Sequence, residues 1–481
     1  MSTKGGPRSG QEAAALGLHR FGFGPVGNAI AAIAADPRGA LVADLERPGA
    51  GRLDASTLVS SAEAAREVFE FRAERRAEQK LALRREKENS VGDETQRVSE
   101  PVKALASDGA APAQKPPLPQ QIILNEAKAR FDAAADANVG FVERLVWFWS
   151  NHFCVSADKD VATMVGAYER EAIRPHVLGR FTDLLQAVES HPAMLLYLDN
   201  VQSMGADSIA GINRDKGLNE NLARETLELH TLGVRSGYSQ SDVTNFAKVL
   251  TGWTWLQPES PVHGGEFVFI KRLHEPGDQV VLGKRYADNG VDQGRAVLTD
   301  LARHPATAQH IAAKLAQHFV ADDPPPTLVS KLAKTFVDTD GDLKQVAKTL
   351  VTAEESWSAP RQKLKLPAEW IAGVIRLTGT RAEIPIGRIM NAQVALGAPL
   401  WRPPAPNGYA DSEAAWIDGI PRRIDIATEF AGRAPHAEPL ELLESSLGPL
   451  ASAPTRETVA RAETRGQAVA LLVMAPEFLR R

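Results

Sequence analysis

From residue 122 to residue 473 apolar side chains recur three and four positions apart in one stretch after another, the spacing of a single helix face. The pattern predicts helices over about 122–137, 139–153, 159–173, 177–189, 192–198, 218–232 and 239–252, which carry most of the core. A second series follows at about 295–303, 306–319, 326–337, 342–353, 366–378, 387–395, 422–432 and 465–473, punctuated by Pro and Gly. Two shorter patterns, 11–18 and 28–35, flank a glycine-rich turn at 21–27. Alternation of period two shows at 266–270 and 279–282 around HEPGD, so these segments predict one small β-hairpin near 266–283, the sole strand signal. The expected fold is mainly α, a large irregular multi-helix body with that one hairpin.

Between these regions the pattern fails in two ways. Residues 60–89, with EFRAERRAEQKLALRREKE, are rich in helix formers but poor in apolar positions, which predicts a long exposed or loosely packed helix. Residues 90–120, with SVGDETQRVSEP and GAAPAQKPPLPQ, cannot bury enough apolar surface to offset the entropy of ordering, and read as a flexible insertion. The expected organisation is therefore 1–59, an N-terminal helical part of the body; 60–120, the charged helix and insertion; and 121–481, the main body. Residues 199–217 are a polar loop of the length that often carries function.

Composition narrows the classes. A chain of 481 residues, 43% hydrophobic and 24% charged, can bury a sizeable core and is neither fibrous nor disordered throughout. A net charge of −5 offers no bulk attraction to nucleic acid or anionic lipid. With one cysteine, Cys154, the chain has no internal disulfide and no cysteine zinc cage. No stretch of 18 apolar residues occurs and the N-terminal segment lacks the apolar core of a secretory signal, so a soluble protein is expected, cytoplasmic or exported with a partner.

Candidate chemistry centres on NENLARETLELHTLG, residues 219–233. On a regular helix Leu218, Leu222, Glu225, Leu229 and Leu232 share one face, which puts the Glu225 carboxylate where a core residue belongs, with Asn221 and Glu228 beside it. A desolvated carboxylate must be protonated, paired or bound to a metal. A structural ion pair meets that need as well as a catalytic role does. Glu228 and His230 stand about 200° apart on a regular helix, so they cannot share a metal, and no ferritin-like di-iron pattern is present.

In VERLVWFWSNHF, residues 142–153, Trp147, Phe148 and Trp149 read as core. His152 at the helix end is either a ligand or base at a cavity mouth, or a cap on helix carbonyls. His274 beside Glu275 lies in the expected hairpin turn, where a solvated histidine is the plainer reading. The loop 401–416, WRPPAPNGYADSEAAW, either covers a cleft or closes the fold. No Gly-x-Ser-x-Gly elbow, Walker loop, dinucleotide fingerprint or His-Glu-x-x-His motif occurs.

LHRFGFGP, WFWSNHFCVS, IRPHVLGRFTDLLQAVESHPAMLLYLDN, LNENLARETLELHTLGV and HEPGDQVVLG together resemble the bacterial family called domain of unknown function 1800, over most of the chain outside 60–120. The resemblance implies a predominantly helical protein and a partner, since members often accompany the sulfatase-like family numbered 1501. It implies no reaction. Its pattern falls on Asn219, Glu220, Asn221, Arg224, Glu225 and Glu228, with Asn151, His152, Asp199 and Asn200. The chain departs from it at Glu275, Gln279 and His230, where aspartate, lysine and phenylalanine are usual, and it lacks the export signal with which many relatives begin.

Two functions therefore stand as expectations. One is a metal-dependent hydrolase with a cleft of His152, Asn221, Glu225, Glu228 and His274 around a divalent ion, in which Glu225, His152 and Glu228 carry the catalysis. The other is a non-catalytic scaffold or chaperone-like partner, with the charged helix as its contact surface.

Overall fold

Phe141–His152 is dominated by large apolar side chains that favour the interior, and its charged Glu143 and Arg144 are ion-paired there. All its residues from Phe141 to Trp149 are buried. Its N-terminal amides are capped from outside: the Asp44 carboxylate accepts from the N–H groups of Phe141 and Val142 at 3.0 and 3.1 Å. A carboxylate there offsets the positive helix end and satisfies two donors that have no partner within the helix. Phe21 and Phe23, from the glycine-rich turn, pack edge-on against Phe141 and Trp147. Gly22 permits that approach, because a Cβ there would stand 2.2 Å from the Val139 carbonyl oxygen.

The computed structural model describes residues 9–54, 56–92, 115–159, 161–212, 217–434 and 438–481. Around the central helix one apolar cluster runs from Leu16 to Leu479, so the N-terminal and C-terminal segments share a core. Val291–Arg303, Pro305–Phe319, Pro326–Asp338 and Leu343–Thr352 pack in succession along it. These helices start and stop where their periodicity predicts, within a few residues. Shorter ones such as Pro37–Glu46, Pro439–Ser446 and Ala453–Ala460 escaped the reading, because two turns show little period. The fold is mainly α, as expected.

Ser61–Gly92 is the long charged helix. Ala64, Ala65 and Val68 anchor its first turns, and residues 72–87 are exposed. Most of the expected flexible insertion, 93–114, lies outside the described residues, and Leu118–Asp136 already begins within its predicted end.

The β-structure differs from expectation in pairing. Both predicted segments hold strands, Phe267–Phe269 and Gln279–Val281, but they do not pair with each other. Phe267–Phe269 runs antiparallel to Trp253–Trp255, with Trp253 opposite Phe269. Gln279–Val281 forms its own hairpin with Lys284–Tyr286. Each strand took the neighbour whose aromatic or aliphatic side chains it could cover, a choice that alternation alone does not encode.

Charge is also stored inside. Arg174 pairs with Glu143 at 2.6 Å and with Glu169 at 3.0 Å, Arg130 pairs with Glu169, and all four side chains are buried. Fully buried Arg20 donates to the carbonyls of Ser356 and Ala359, and Arg376 to those of Ala134 and Ala137. Guanidinium groups thus take up carbonyls at helix C-terminal ends that lack intrahelical partners.

Candidate functional site

The signature block is not one regular helix. Asn221–Glu225 is α-helical, and Thr226–Thr231 widens into a π-turn, where the Leu232 N–H donates to the Leu227 carbonyl five residues back at 3.0 Å. Two threonines support the wider ladder. The Thr226 hydroxyl donates to the Leu222 carbonyl at 2.7 Å and the Thr231 hydroxyl to the Thr226 carbonyl at 2.6 Å, taking up acceptors that a regular ladder would use. Thr226 and Thr231 were the available sequence signal for the π-turn.

The face that packs inward is not the expected one. Leu222, Ala223, Thr226, Leu227, His230 and Thr231 are buried, whereas Glu225 and Leu229 lie at the boundary. This corrects the expected face: Glu225 is half-buried instead of central, and His230, expected to turn away, goes into the core. There its Nδ1 meets Glu189 Oε1 at 2.7 Å, with both side chains at most 1% exposed.

His152 closes this turn from below. Its Nε2–H donates to the His230 carbonyl at 3.2 Å, and His310 Nε2–H donates to the Leu229 carbonyl at 3.1 Å. Burial, with Lys314 and the neighbouring histidines, pushes the His152 pKa well down, and burial lowers that of His310. Both rings are neutral donors that cap carbonyls at a helix end. His152 thus caps a carbonyl of a different helix from its own.

The expected five-residue donor set does not converge. Among the described residues no three His, Cys, Asp or Glu side chains are placed to hold one metal ion. His152 has committed Nε2 to a carbonyl. His274 is buried beside the second hairpin, its Nδ1 2.8 Å from the Thr251 carbonyl oxygen, where it ties that hairpin to the end of Gln240–Leu250. It makes no hydrogen bond with Asn221, Glu225 or Glu228.

What remains open around the block is a short stretch of surface. Glu220 binds Arg224, Gln240 and Thr244, and Asn219 accepts from the Asn221 N–H in a local turn. Burial, then the neighbouring Glu228 carboxylate, raises the Tyr238 pKa. Asn221 is exposed at the edge of a hollow of about 550 Å³ bounded by Gln202 and residues 217–221. Glu225, one turn later, accepts no hydrogen bond and joins no ion pair among the described residues. Desolvation raises its pKa, the Glu228 charge adds to that, and His230 and Arg224 oppose it.

The family model for the protein family of unknown function DUF1800 matches residues 17–480, nearly the whole chain. The chain belongs to the DUF1800 family. No curated protein and no solved structure matches it. In this DUF1800 chain the other family-pattern residues hold the frame: Asn200 donates to the carbonyls of Leu250 and Trp253, and Asp199 accepts from Lys159. Asn151 holds the 401–416 loop through the backbone of Tyr409. No helix among the described residues is long and apolar enough to cross a membrane.

Proposed function

We propose that the protein is a hydrolytic acid–base enzyme whose proton-carrying group is Glu225. The observation that carries this reading is a half-buried carboxyl with a raised pKa and no partner among the described residues, one helical turn after Asn221, which lines a solvent-open hollow. A carboxyl in that state exchanges a proton closer to neutral pH than an ordinary glutamate does, which suits a general acid or base. Asn221, one turn earlier on the same side, offers amide contacts to a polar substrate group. Glu228 raises the proton affinity of Glu225 through its charge. His152 is a positioning residue, acting through the His230 carbonyl on the turn that carries Glu225. A divalent ion enters this reading through Glu225, Glu228 and Asn221; His152 Nε2 and His274 Nδ1 are taken by the His230 and Thr251 carbonyls.

The test compares wild type with Glu225→Gln on p-nitrophenyl acetate and bis(p-nitrophenyl) phosphate, with added Zn²⁺ or Mn²⁺ and with EDTA. Hydrolysis lost in the variant at unchanged Tm is expected. Equal rates in the two proteins, including none in either, overturn it. Dependence on the added ion decides whether a metal supplies the hydrolytic water.

One observation favours a second reading, a scaffold. Residues 72–87 of Ser61–Gly92 are exposed and interleave Arg and Glu, a surface suited to a mixed-charge protein partner such as the sulfatase-like one the family resemblance implies. Loss of co-purification with that partner on deleting residues 72–87, with hydrolysis absent throughout, is the outcome this reading requires.

A further inference from the structure

One polar group beside Glu225 remains open. Tyr197 ends the helix Pro192–Tyr197 with its ring in the core and 6% of its surface exposed. Its hydroxyl makes no hydrogen bond among the described residues and, unlike the sealed polar atoms of the interior, still reaches solvent. An O–H open to water on an otherwise buried ring is a rigidly held donor that a substrate can reach. The Glu225 carboxylate is near enough to act on it: burial, then Cys154 and Glu225, hold the phenol well above its ordinary pKa, so it keeps its proton.

The backbone fixes where that hydroxyl stands. Two residues on, Asp199 takes the left-handed conformation at φ +59°, uncommon for a residue with a side chain. Lys159 holds the bend, its Nζ donating to the Tyr197 carbonyl at 2.7 Å and to the Asp199 carboxylate at 2.9 Å while lying 5.5 Å from the Tyr197 ring centre. Asn219, at the head of the block that carries Glu225, donates through Nδ2 to the Asp199 carbonyl at 3.4 Å. The end of the Tyr197 helix and the start of the Glu225 helix are thus strapped together. Other groups near Glu225 are engaged. Cys154 donates to the Pro406 carbonyl at 3.2 Å, and burial pushes its thiol up to about 12. Arg224 is matched by Glu220 at 2.9 Å, and Lys159 by Asp199.

We propose that Tyr197 is a second catalytic residue, donating its O–H to the carbonyl oxygen of an uncharged ester or amide that Glu225 hydrolyses. This rests on the reading of Glu225 as the proton carrier. Ionised Glu225 takes a proton from water as the water oxygen bonds to the acyl carbon. The carbonyl electron pair moves onto its oxygen, where the Tyr197 O–H holds it without giving up the proton. The pair then returns, the bond to the leaving oxygen or nitrogen breaks, and the leaving group takes the proton from Glu225. Water is the only co-reactant, and the products are a carboxylic acid and an alcohol or amine. A phosphate diester would bring an anion towards Glu225 and Glu228, and Arg224, the arginine that acts on Glu225, is already matched.

Wild type, Glu225→Gln and Tyr197→Phe are compared on p-nitrophenyl acetate and bis(p-nitrophenyl) phosphate. Turnover of the acetate and none of the phosphate is expected. Tyr197→Phe keeps the ring and should lower kcat on the acetate about a hundredfold, with KM within about threefold and Tm unchanged, since the lost hydroxyl has no partner in the fold. A Tyr197→Phe kcat within twofold of wild type, with Glu225→Gln inactive, overturns the role of Tyr197 and leaves that of Glu225 standing. Phosphate turnover that is lost in Glu225→Gln overturns the substrate class. Equal rates in wild type and Glu225→Gln, including none in either, overturn the Glu225 reading and this proposal with it. Acetamide gives a readout without turnover: in protein labelled with ¹³C at tyrosine Cζ, the Tyr197 signal, assigned by its loss in Tyr197→Phe, should shift at millimolar acetamide. A Tyr197 signal indifferent to acetamide overturns the contact.

Discussion

Asn151 grips the backbone of Tyr409 with both ends of its amide: Nδ2 donates to the Tyr409 carbonyl at 2.9 Å and Oδ1 accepts from the Tyr409 N–H at 2.8 Å. The pair joins the end of the central aromatic helix to a loop 258 residues later. Gly408 makes the approach possible, with φ +74° and only 2.4 Å between an added Cβ and the Asn151 carbonyl oxygen. Asn151→Leu should cost about 2 kcal/mol, two net hydrogen bonds of about 1 kcal/mol each. Gly408→Ala should cost about as much through backbone strain. Urea unfolding measures both, and a loss under ~0.5 kcal/mol in each would show that the clamp is idle.

Glu169 holds two guanidinium groups, Arg130 and Arg174, in the interior. Glu169→Gln leaves both partly uncompensated and should destabilise by about 3–5 kcal/mol, whereas Arg130→Met with Glu169→Met should lose less, because no charge of that pair is stranded. Denaturant midpoints rank the two. A double variant no more stable than the single one contradicts this account.

The His152 ring is neutral in the folded protein because burial, then Lys314 and the neighbouring histidines, hold its pKa well below the ordinary value of 6.5. In the unfolded chain it binds a proton at the ordinary pKa. Below pH about 6.5 the unfolded state therefore holds more protons, and stability falls as pH drops towards the folded pKa, by up to ~1.4 kcal/mol per unit for this one group. His152→Gln removes this titration. The stability gap between wild type and variant should shrink between pH 7 and pH 5, and a gap constant over that range would refute the assignment.

Thr231→Val keeps shape but deletes the hydroxyl that takes the Thr226 carbonyl at 2.6 Å. The π-turn should then open more readily, at a cost of about 1–2 kcal/mol. Faster hydrogen exchange at the Leu232 amide, whose bond reaches five residues back to Leu227, is the local readout. Unchanged protection there would mean the hydroxyl does not support the turn.

Desolvation raises the Glu225 pKa and the Glu228 charge adds to it. Glu228→Gln should lower the Glu225 pKa towards the ordinary glutamate range without restoring it fully, since the desolvation stays. A carboxyl-carbon NMR titration follows it. A Glu225 pKa indifferent to Glu228 would separate the two residues electrically.

The amino-acid sequence by itself determined the helical class, the run of amphipathic helices from 291 to 352, the exposed charged helix beginning at Ser61, the positions of two strands and the family. Each is a property of side chains within a turn or two of one another, where period and composition act directly. Tertiary structure decided what those elements do with their polar groups. His230 found Glu189, 41 residues away, because the block packs through the face of Leu222, Ala223, Thr226, Leu227 and His230 and not through that of Leu222, Glu225 and Leu229. That choice of face left Glu225 at the boundary, where desolvation is partial and its proton affinity rises without a partner among the described residues. Phe267–Phe269 paired with Trp253–Trp255, and His152 met a carbonyl of another helix. A buried donor donates to whichever acceptor the packed chain brings within reach, and that encounter is set by how apolar faces stack in three dimensions, not by spacing along the chain.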